Sequence, residues 1–443
     1  MVFKNFEIRN EFFGALVWDF KNKDFLAFDN DSLKIFKLLN ENKSLSEISS
    51  LFPNYNISDF ISNLEKVGLI KNNTLDANFV NNEVLPGLLS APARLHYTVT
   101  AKCNLNCKHC FTRDILKSEL KELTFSEKIK VLDFMDKYGI REMLIGGGEP
   151  FCADRFLDFL KEGVKRNISL KVFSNGTIFD DKLIKEISEI PLTYLAISLD
   201  GSDKESYQEM RNGDYFDLIL ENITKLSKSC NYDIVIQVTI SKSNMNSIDD
   251  FFKIVERTGA SKLKLRPLKP GGAILDNNDL LVSSQEYYDV LNKAKHIWNT
   301  KGYREKGIKL DYSWGNLRLT CDQGDIDLVR MPQPCVGFGC LGGKVNAFLD
   351  AYGILHPCGF VNSFLETAVE DNIRNKDILD IWKTGRNFLY LRNIKGNSEC
   401  KACNLYSTCR GGCRARAHYY NKDINAKDGW CPKDVGMNKE LNR

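Results

Sequence analysis

The stretch RLHYTVTAKCNLNCKHC, residues 94–110, carries the features that decide both fold and chemistry. Its first half alternates apolar and polar residues over Leu95–Thr100, which predicts a β-strand. Its second half is a loop with three cysteines separated by three and then two residues: Cys103, Cys107 and Cys110. Three thiolates can hold three irons of a four-iron cubane and leave the fourth iron open for a substrate. A zinc site completed by His109 is the alternative for the same spacing.

The other cysteines also favour metal chemistry. The 443 residues include 14 Cys but only 5 His. The N-terminus lacks the pattern of a signal peptide, and no apolar stretch is long enough to span a membrane. We therefore predict a cytoplasmic protein whose clustered thiols bind metal rather than form disulfides. The net charge of +3 gives no electrostatic case for a nucleic-acid or membrane partner.

A regular alternation of strands and helices begins at Arg94. The predicted strands are Leu95–Thr100, Glu142–Ile145, Ser169–Phe173, Leu192–Leu199, Ile234–Ile240 and Lys262–Arg266. The predicted helices are Ser126–Tyr138, Ala153–Lys165, Asp180–Ile190, Asp217–Ser229, Ile248–Thr258 and Ser284–Thr300. This order predicts an α/β fold whose parallel sheet forms a partial (β/α)6 TIM-type barrel. Such barrels carry their chemistry on loops at the C-terminal strand ends, where the cysteine loop lies.

The pattern divides the chain into four parts. We predict a winged-helix-like domain at residues 1–75, a linker at 76–92, the barrel at 93–300 and a cysteine-rich, metal-organised domain at 301–443. The first domain begins with a hairpin, Val17–Phe20 with Phe25–Phe28, and continues with three short helices. The predicted N-caps are Asp31, then Ser44 in a capping box with Glu47, then Ser58 or Asp59.

The cysteine loop resembles the signature of radical SAM enzymes. In that family the open iron of a [4Fe–4S] cluster chelates S-adenosylmethionine (SAM), and one electron cleaves SAM to a 5′-deoxyadenosyl radical. Three more stretches resemble the family's SAM-binding motifs in the family's order: GGGEP at 146–150, SNGT at 174–177 and SLDG at 198–201. The resemblance implies a set of SAM contacts: His109, Gly147, Gly148, Glu149, Ser174, Asn175, Ser198, Asp200, Arg211 and Leu268.

The resemblance also assigns roles within this set. Glu149 matches the residue that holds the methionine amino group, and Arg211 matches an arginine that pairs with the SAM carboxylate. Asp200 falls in the segment that touches the ribose and methionyl groups, and Leu268 falls near the adenine-packing position. We expect the glycines of the GGGEP stretch to let the ligand approach the backbone closely.

The C-terminal cysteines resemble the SPASM extension of radical SAM enzymes. The resemblance implies two auxiliary [4Fe–4S] clusters and so three clusters in all. The first would take Cys335, Cys340, Cys358 and Cys413, and the second Cys400, Cys403, Cys409 and Cys431. Four thiolates leave no open iron, which fits electron relay. Zinc ribbons are the alternative, and without Cys335 the first cluster would keep an open iron that could bind a substrate thiolate.

The N-terminal part, joined to such a core, resembles the PqqD-like domain that recognises leader peptides of ribosomally made, modified peptides. Residues 1–90 carry nine Lys and Arg against twelve Asp and Glu, so a phosphate-binding surface is disfavoured. In that family the leader adds as a strand to the hairpin edge and packs on the third helix. The implied contacts are Leu26, Ala27, Phe28, Asp29, Phe60, Leu64 and Val67. A docking or dimerisation domain is the alternative.

Together these resemblances imply a radical SAM enzyme that cross-links a precursor peptide, with flavodoxin or ferredoxin as reductant. We favour a thioether over a carbon–carbon link. One alternative is an anaerobic sulfatase-maturing enzyme, but Gly359 stands where its catalytic aspartate would follow Cys358. The other is a non-catalytic iron–sulfur carrier or scaffold, which would need neither Glu149 nor Arg211. We name no catalytic acid or base. Three residues lie in plausible regions, but each is interpreted as an ordinary polar residue: Asp322, Asp350 and Tyr312.

Overall fold

A computed structural model describes residues 4–72, 74–314, 317–320, 327–328, 340–404 and 406–436. The predicted cluster ligand Cys335 lies outside the described residues, as does Asp322. Within the described part of the chain, no helix combines the length and the apolar character needed to cross a bilayer.

The N-terminal unit is a four-stranded sheet packed against three helices. Its elements are β1 (Phe6–Glu11), β2 (Gly14–Asp19), β3 (Asp24–Asp29), α1 (Asn30–Asn40), α2 (Leu45–Leu51), α3 (Ile57–Lys66), β4 (Ile70–Lys71), β5 (Thr74–Leu75) and β6 (Ala77–Val80). The sheet order is β3-β2-β1-β6, with β4 and β5 as a separate hairpin. The predicted β2–β3 hairpin and three helices are confirmed. Strand β6 lies inside the stretch predicted as a linker, because it pairs in parallel with β1.

Two of the three predicted helix caps are wrong by two residues or more. The capping box of Ser44 and Glu47 is confirmed. Helix α1 is capped by Asp29, which accepts a hydrogen bond from the Ser32 amide, and Asp31 lies in the first turn. Helix α3 is capped by Asn56, so it begins before both residues predicted for that role. The cap must precede the first helical residue, and both helices begin earlier than their apolar periodicity suggests.

The remaining sheet has eleven strands, of which the central ones are parallel. These are β7 (Arg94–Thr98), β8 (Glu142–Gly146), β9 (Ser169–Ser174), β10 (Tyr194–Ser198), β11 (Asp233–Ile240), β12 (Lys262–Pro267) and β13 (Lys309–Trp314), which lie side by side in chain order. All six predicted strands are confirmed. Strand β13 extends the parallel row beyond residue 300. The sheet is completed by β14 (Leu317–Thr320), β15 (Asp327–Leu328), β16 (Asn346–Leu349) and β17 (Leu355–His356).

Helices alternate with the strands β7 to β13 in the chain and pack against this sheet. They are α4 (Arg113–Leu116), α5 (Phe125–Lys137), α6 (Phe156–Lys165), α7 (Asp181–Ser188), α8 (Lys204–Arg211), α9 (Phe216–Ser229), α10 (Ile248–Thr258) and α11 (Ser284–Thr300). The last part contains α12 (Ile378–Thr384), α13 (Arg386–Arg392), α14 (Ser398–Lys401), α15 (Tyr406–Cys409) and α16 (Arg414–Asn421). Strand residues on both faces are buried, as a helix-covered parallel sheet requires. The carboxyl ends of β7 to β12 therefore share one edge, where the predicted site residues lie.

Candidate active site and metal centres

The loop of Cys103, Cys107 and Cys110 leaves the end of β7 and is fastened to the GGGEP stretch. The Gly148 amide donates to the Thr100 carbonyl at 2.9 Å, and the Glu149 amide donates to the Lys102 carbonyl at 2.7 Å. A Cβ on Gly148 would lie 2.1 Å from that same Lys102 oxygen. We expected these glycines to let a ligand approach the backbone closely. At Gly148, it is the cysteine loop that approaches closely. Gly146 has no atom within 4 Å of its Cβ position, so open space remains beside the strand end.

Glu149 is fully buried and held by the next loop along the sheet. Its carboxylate accepts hydrogen bonds from the Ser174 hydroxyl at 2.8 Å and the Asn175 amide at 2.7 Å. Burial raises the pKa of Glu149 to about 7, although these donors lower it. The Asn175 side chain also donates to Asn104 at 2.8 Å, next to Cys103. The structure therefore brings three predicted SAM contacts together against the cysteine loop.

On the other side of the cysteine loop, Asp200 contacts two further predicted SAM contacts, His109 and Arg211. Its buried carboxylate lies 2.9 Å from His109 Nε2, pairs with Arg211 and accepts a hydrogen bond from the Thr239 amide at 2.6 Å. Burial alone would raise the pKa of Asp200, but Arg211 and His109 hold it well below its usual range. Arg211 also places Nη1 3.7 Å from the Cys107 sulfur.

Several buried polar atoms at this site have no hydrogen-bond partner within the described residues, among them the donor Arg211 Nε and the ring nitrogen His109 Nδ1. Buried polar atoms are usually satisfied, so the position of Arg211 Nε favours an acceptor that the protein itself does not supply. The carboxylate of an amino acid ligand is such an acceptor for a guanidinium. The donor set therefore fits SAM bound beside the three thiols.

Three predicted SAM contacts remain, each at or just after the end of a different strand: Gly147, Ser198 and Leu268. Gly147 follows β8, and its Cβ position lies 2.6 Å from the Thr100 carbonyl oxygen. Ser198 is half-buried at the end of β10. Leu268 follows β12 and is 3% exposed in a small apolar cluster with Met210, Ile274 and Leu280. Such a cluster offers an apolar face against which a base can stack.

Three supporting residues escaped the sequence interpretation. Glu122 accepts hydrogen bonds from Thr100 and from the Ala101 amide, and so steadies the start of the cysteine loop. Asn244 donates to the Asp200 carbonyl at 2.9 Å. Asn104 lies inside the cysteine motif, so the sequence could have indicated it. No local sequence pattern indicates Glu122 or Asn244.

The thiols assigned to the first auxiliary cluster converge as far as they are described. Burial, together with the neighbouring thiols of Cys340 and Cys413, raises the pKa of Cys358 to about 12. The Cβ position of Gly342 lies 3.1 Å from the Cys358 Cβ, which keeps the Cys340 and Cys358 loops in contact. These three cysteines therefore form one set, to which Cys335 would be the fourth.

All four thiols assigned to the second auxiliary cluster line one cavity. Its walls include Tyr406, Lys427 and the four cysteines Cys400, Cys403, Cys409 and Cys431. Within the described residues, no three His, Cys, Asp or Glu side chains lie close enough to share a single metal ion. A cubane takes one thiolate at each iron corner, so it suits thiols spread around a cavity.

The predicted peptide contacts lie on β3 and α3 of the N-terminal unit. Strand β3 is the edge of its sheet, with Leu26 and Phe28 half-buried and Ala27 exposed. The Phe28 and Phe60 rings lie 6.5 Å apart, so the strand and the helix form adjacent surfaces. Two predicted contacts have other roles: Leu64 is 3% exposed in the core of the unit, and Asp29 caps α1.

Comparison with known proteins agrees with this geometry. The Radical SAM superfamily matches residues 97–254, and the SPASM iron–sulfur cluster-binding domain matches residues 340–404. The AdoMet-dependent heme synthase of Methanosarcina barkeri is 25% identical over 78% of this chain and 97% of its own length. The mycofactocin maturase MftC of Mycolicibacterium smegmatis is 24% identical over 79% of this chain and 84% of its own length.

Solved structures show the same fold. SuiB of Streptococcus suis bound to its precursor peptide SuiA superposes with a TM-score of 0.71 and 15% identity, over 96% of this chain and 97% of that one. Native anSMEcpe with bound AdoMet superposes with a TM-score of 0.59 and 16% identity, over 79% and 98%. The chain is therefore a radical SAM enzyme, with a domain that binds a [4Fe–4S] cluster and SAM and a SPASM domain that binds additional iron–sulfur clusters.

Proposed function

We propose that this enzyme is a peptide maturase that cross-links residues of a ribosomally made precursor. The observation that carries the proposal is the N-terminal unit, which presents an unpaired sheet edge beside a helix. The fold match to SuiB, a protein crystallised with its precursor peptide, extends over 96% of this chain, whereas the match to anSMEcpe extends over 79%. The larger share supports a recognition unit as part of the shared architecture.

The leader would bind along β3. An edge strand offers unpaired backbone groups to an incoming strand, and exposed side chains of the adjacent helix supply specificity. Val67 at the end of α3 is 49% exposed, and the half-buried Phe60 stacks on Phe36 with ring centroids 6.1 Å apart. A leader strand beside β3 would cover this apolar surface.

SAM would bind between Glu149 and the pair of Asp200 and Arg211. Asp200 fixes the Arg211 guanidinium through one nitrogen, which leaves Nε free for the carboxylate of SAM. Glu149 would accept from the amino group of SAM. Cys103, Cys107 and Cys110 would hold the cluster that supplies the electron for SAM cleavage. The protein's part would be to hold SAM in one orientation and keep water out.

The auxiliary thiols would serve the end of the reaction. Abstraction of a substrate hydrogen atom leaves a carbon radical, and a C–S bond forms when a cysteine thiol loses its proton. One electron remains, and an auxiliary cluster ligated by four thiolates can accept it. The peptide thereby loses two hydrogens per thioether link. A one-electron donor of the flavodoxin or ferredoxin type would reduce the enzyme for each SAM cleaved.

The sulfatase-maturing alternative is disfavoured by the space around Gly359. Its Cβ position lies 2.9 Å from the Phe348 ring and 3.2 Å from the Phe111 ring. An aspartate side chain there would displace both rings. The aromatic packing beside Cys358 therefore leaves no place for the catalytic carboxylate that this alternative needs.

Co-expression tests the proposal. A short peptide encoded beside the gene for this chain should lose about two hydrogens per link in mass spectra. Val67→Asp should reduce the modified fraction at least tenfold, because it puts a charge on the leader surface. Leu51→Asp is the matched control, since Leu51 is 61% exposed on α2 of the same unit. An unmodified peptide, or equal losses in the two variants, would count against the proposal.

A further inference from the structure

Arg414 is a buried cation on the segment that joins the two auxiliary sites. It follows Cys413 of the first set, and its side chain folds back onto Gly411 and Gly412, which lead from Cys409 of the second set. Gly411, whose carbonyl accepts from Arg414, also lines the cavity of the second set. The guanidinium therefore lies between Cys413 of the first set and the cavity of the second.

The partners of Arg414 are all neutral within the described residues. Its guanidinium donates to the Ile424 carbonyl at 2.8 Å and to the Ala426 carbonyl at 2.9 Å, besides those of Gly411 and Gly412. Arg416, two residues on, is also buried but has a carboxylate partner, since it pairs with Asp428 at 2.6 Å. A buried charge without a counter-ion is costly. Arg414, 4% exposed, therefore favours an anion from outside the polypeptide.

Lysines lie near both auxiliary sites. Lys344 is half-buried in the turn four residues after Cys340, and Lys427 and Lys433 line the cavity of the second set. Lys427 pairs with the carboxylates of Glu399 and Asp434. Lys344 has no carboxylate partner in the part of the chain that the structure describes, so it adds an uncompensated positive charge near Cys340.

We propose that Arg414 is a counter-cation shared by both auxiliary clusters and raises the reduction potential of each, while Lys344 acts on the first cluster alone. The inference rests on the thiol assignment proposed above. A cubane with four thiolates is anionic and gains one more negative charge on reduction, so a fixed nearby cation stabilises the reduced form more.

The test is a redox titration of the reconstituted holoenzyme, followed by electron paramagnetic resonance, with iron content measured in parallel. Arg414→Gln should move the reduction equilibrium of both auxiliary clusters about tenfold towards the oxidised form, which is about 59 mV for one electron. Arg414→Lys keeps the charge and should stay close to wild type. Lys344→Met should shift the first cluster alone. Lys182→Met is the control, since Lys182 is 83% exposed on α7.

The outcomes distinguish an effect of the Arg414 charge from an effect of its hydrogen bonds to the loops. Equal shifts in Arg414→Gln and Arg414→Lys, or loss of clusters from both, would overturn the inference, because Arg414 would then only hold the loops together. Unchanged potentials in Arg414→Gln with both clusters present would overturn it too. Wild-type protein with fewer than two auxiliary clusters would instead refute the thiol assignment on which the inference rests.

Discussion

Glu149 shows how burial and hydrogen bonding oppose each other at a single residue. Burial raises its pKa to about 7, against lowering contributions from Asn175 and Ser174. The carboxylate is therefore charged above pH 7 and becomes protonated as the pH falls below it. Only the charged form attracts the amino group of SAM. The affinity for SAM should fall about tenfold between pH 8 and pH 6.

Anaerobic equilibrium dialysis of SAM against the cluster-loaded protein measures this dependence, with absorbance confirming that the clusters survive. Glu149→Gln should bind SAM weakly at both pH values and show a flat profile. If the variant keeps the wild-type slope, another group controls the pH dependence.

The sequence identifies the residues of the SAM site better than their partners. Glu149, Asp200 and Arg211 were predicted as ligand contacts from their motifs, and the structure brings them to one edge of the sheet. Their mutual contacts could not be predicted, because Arg211 from α8 meets Asp200 after β10 only through the fold. The Thr239 amide that also binds Asp200 comes from β11, so no local pattern announces it.

At the scale of elements, periodicity predicted the six central strands but stopped too early. Strand β13 lies beyond the predicted end of the barrel at residue 300, and it joins the sheet by pairing in parallel with β12. Strand β1 was missed for a different reason. Its alternating Glu7, Arg9 and Glu11 look like a solvent-facing row, yet all three are buried against the barrel. Because these buried interface residues are charged, a pattern based on hydrophobicity does not identify the strand.

The contact between the GGGEP stretch and the cysteine loop makes an element-scale prediction. Gly148→Ala would place a methyl group 2.1 Å from the Lys102 oxygen, and should destabilise the protein by about 1–3 kcal/mol. Gly146→Ala is the matched control, because its Cβ position is open, and should change stability by less than about 0.5 kcal/mol. Urea unfolding measures both. Equal stabilities would mean that the two loops can separate without cost.

At the scale of the whole molecule, a buried ion pair and buried hydrogen bonds join the N-terminal unit to the barrel. Arg141, from the turn before β8, donates to Glu7 of β1 at 2.8 Å. Arg9 of β1 donates to the carbonyls of Ala91, Pro92 and Gly139 at 3.0–3.2 Å. Apolar residues Leu16, Trp18 and Phe25 of the same unit belong to the main core. These contacts fix the N-terminal unit to the barrel.

Breaking the ion pair of Glu7 and Arg141 should weaken the attachment of the N-terminal unit to the barrel. Glu7→Ala removes the buried partner of the Arg141 guanidinium, itself 6% exposed, and leaves it the half-exposed Asp136 at 2.6 Å. The change should cost about 1–3 kcal/mol. Asp31→Ala breaks only the exposed pair with Lys34 and should cost less than about 1 kcal/mol. Hydrogen exchange of β1 reports the difference. Equal protection in the two variants would show that the apolar contacts alone hold the unit.

We assign the SAM-cleaving cluster to Cys103, Cys107 and Cys110, and a measurement of SAM cleavage tests this assignment. The reduced, reconstituted wild-type protein should convert SAM to 5′-deoxyadenosine, measured by liquid chromatography and mass spectrometry. The variant with all three cysteines replaced by alanine should form none, yet retain the iron of two auxiliary clusters. Cleavage of SAM at the wild-type rate by the triple variant would contradict the account.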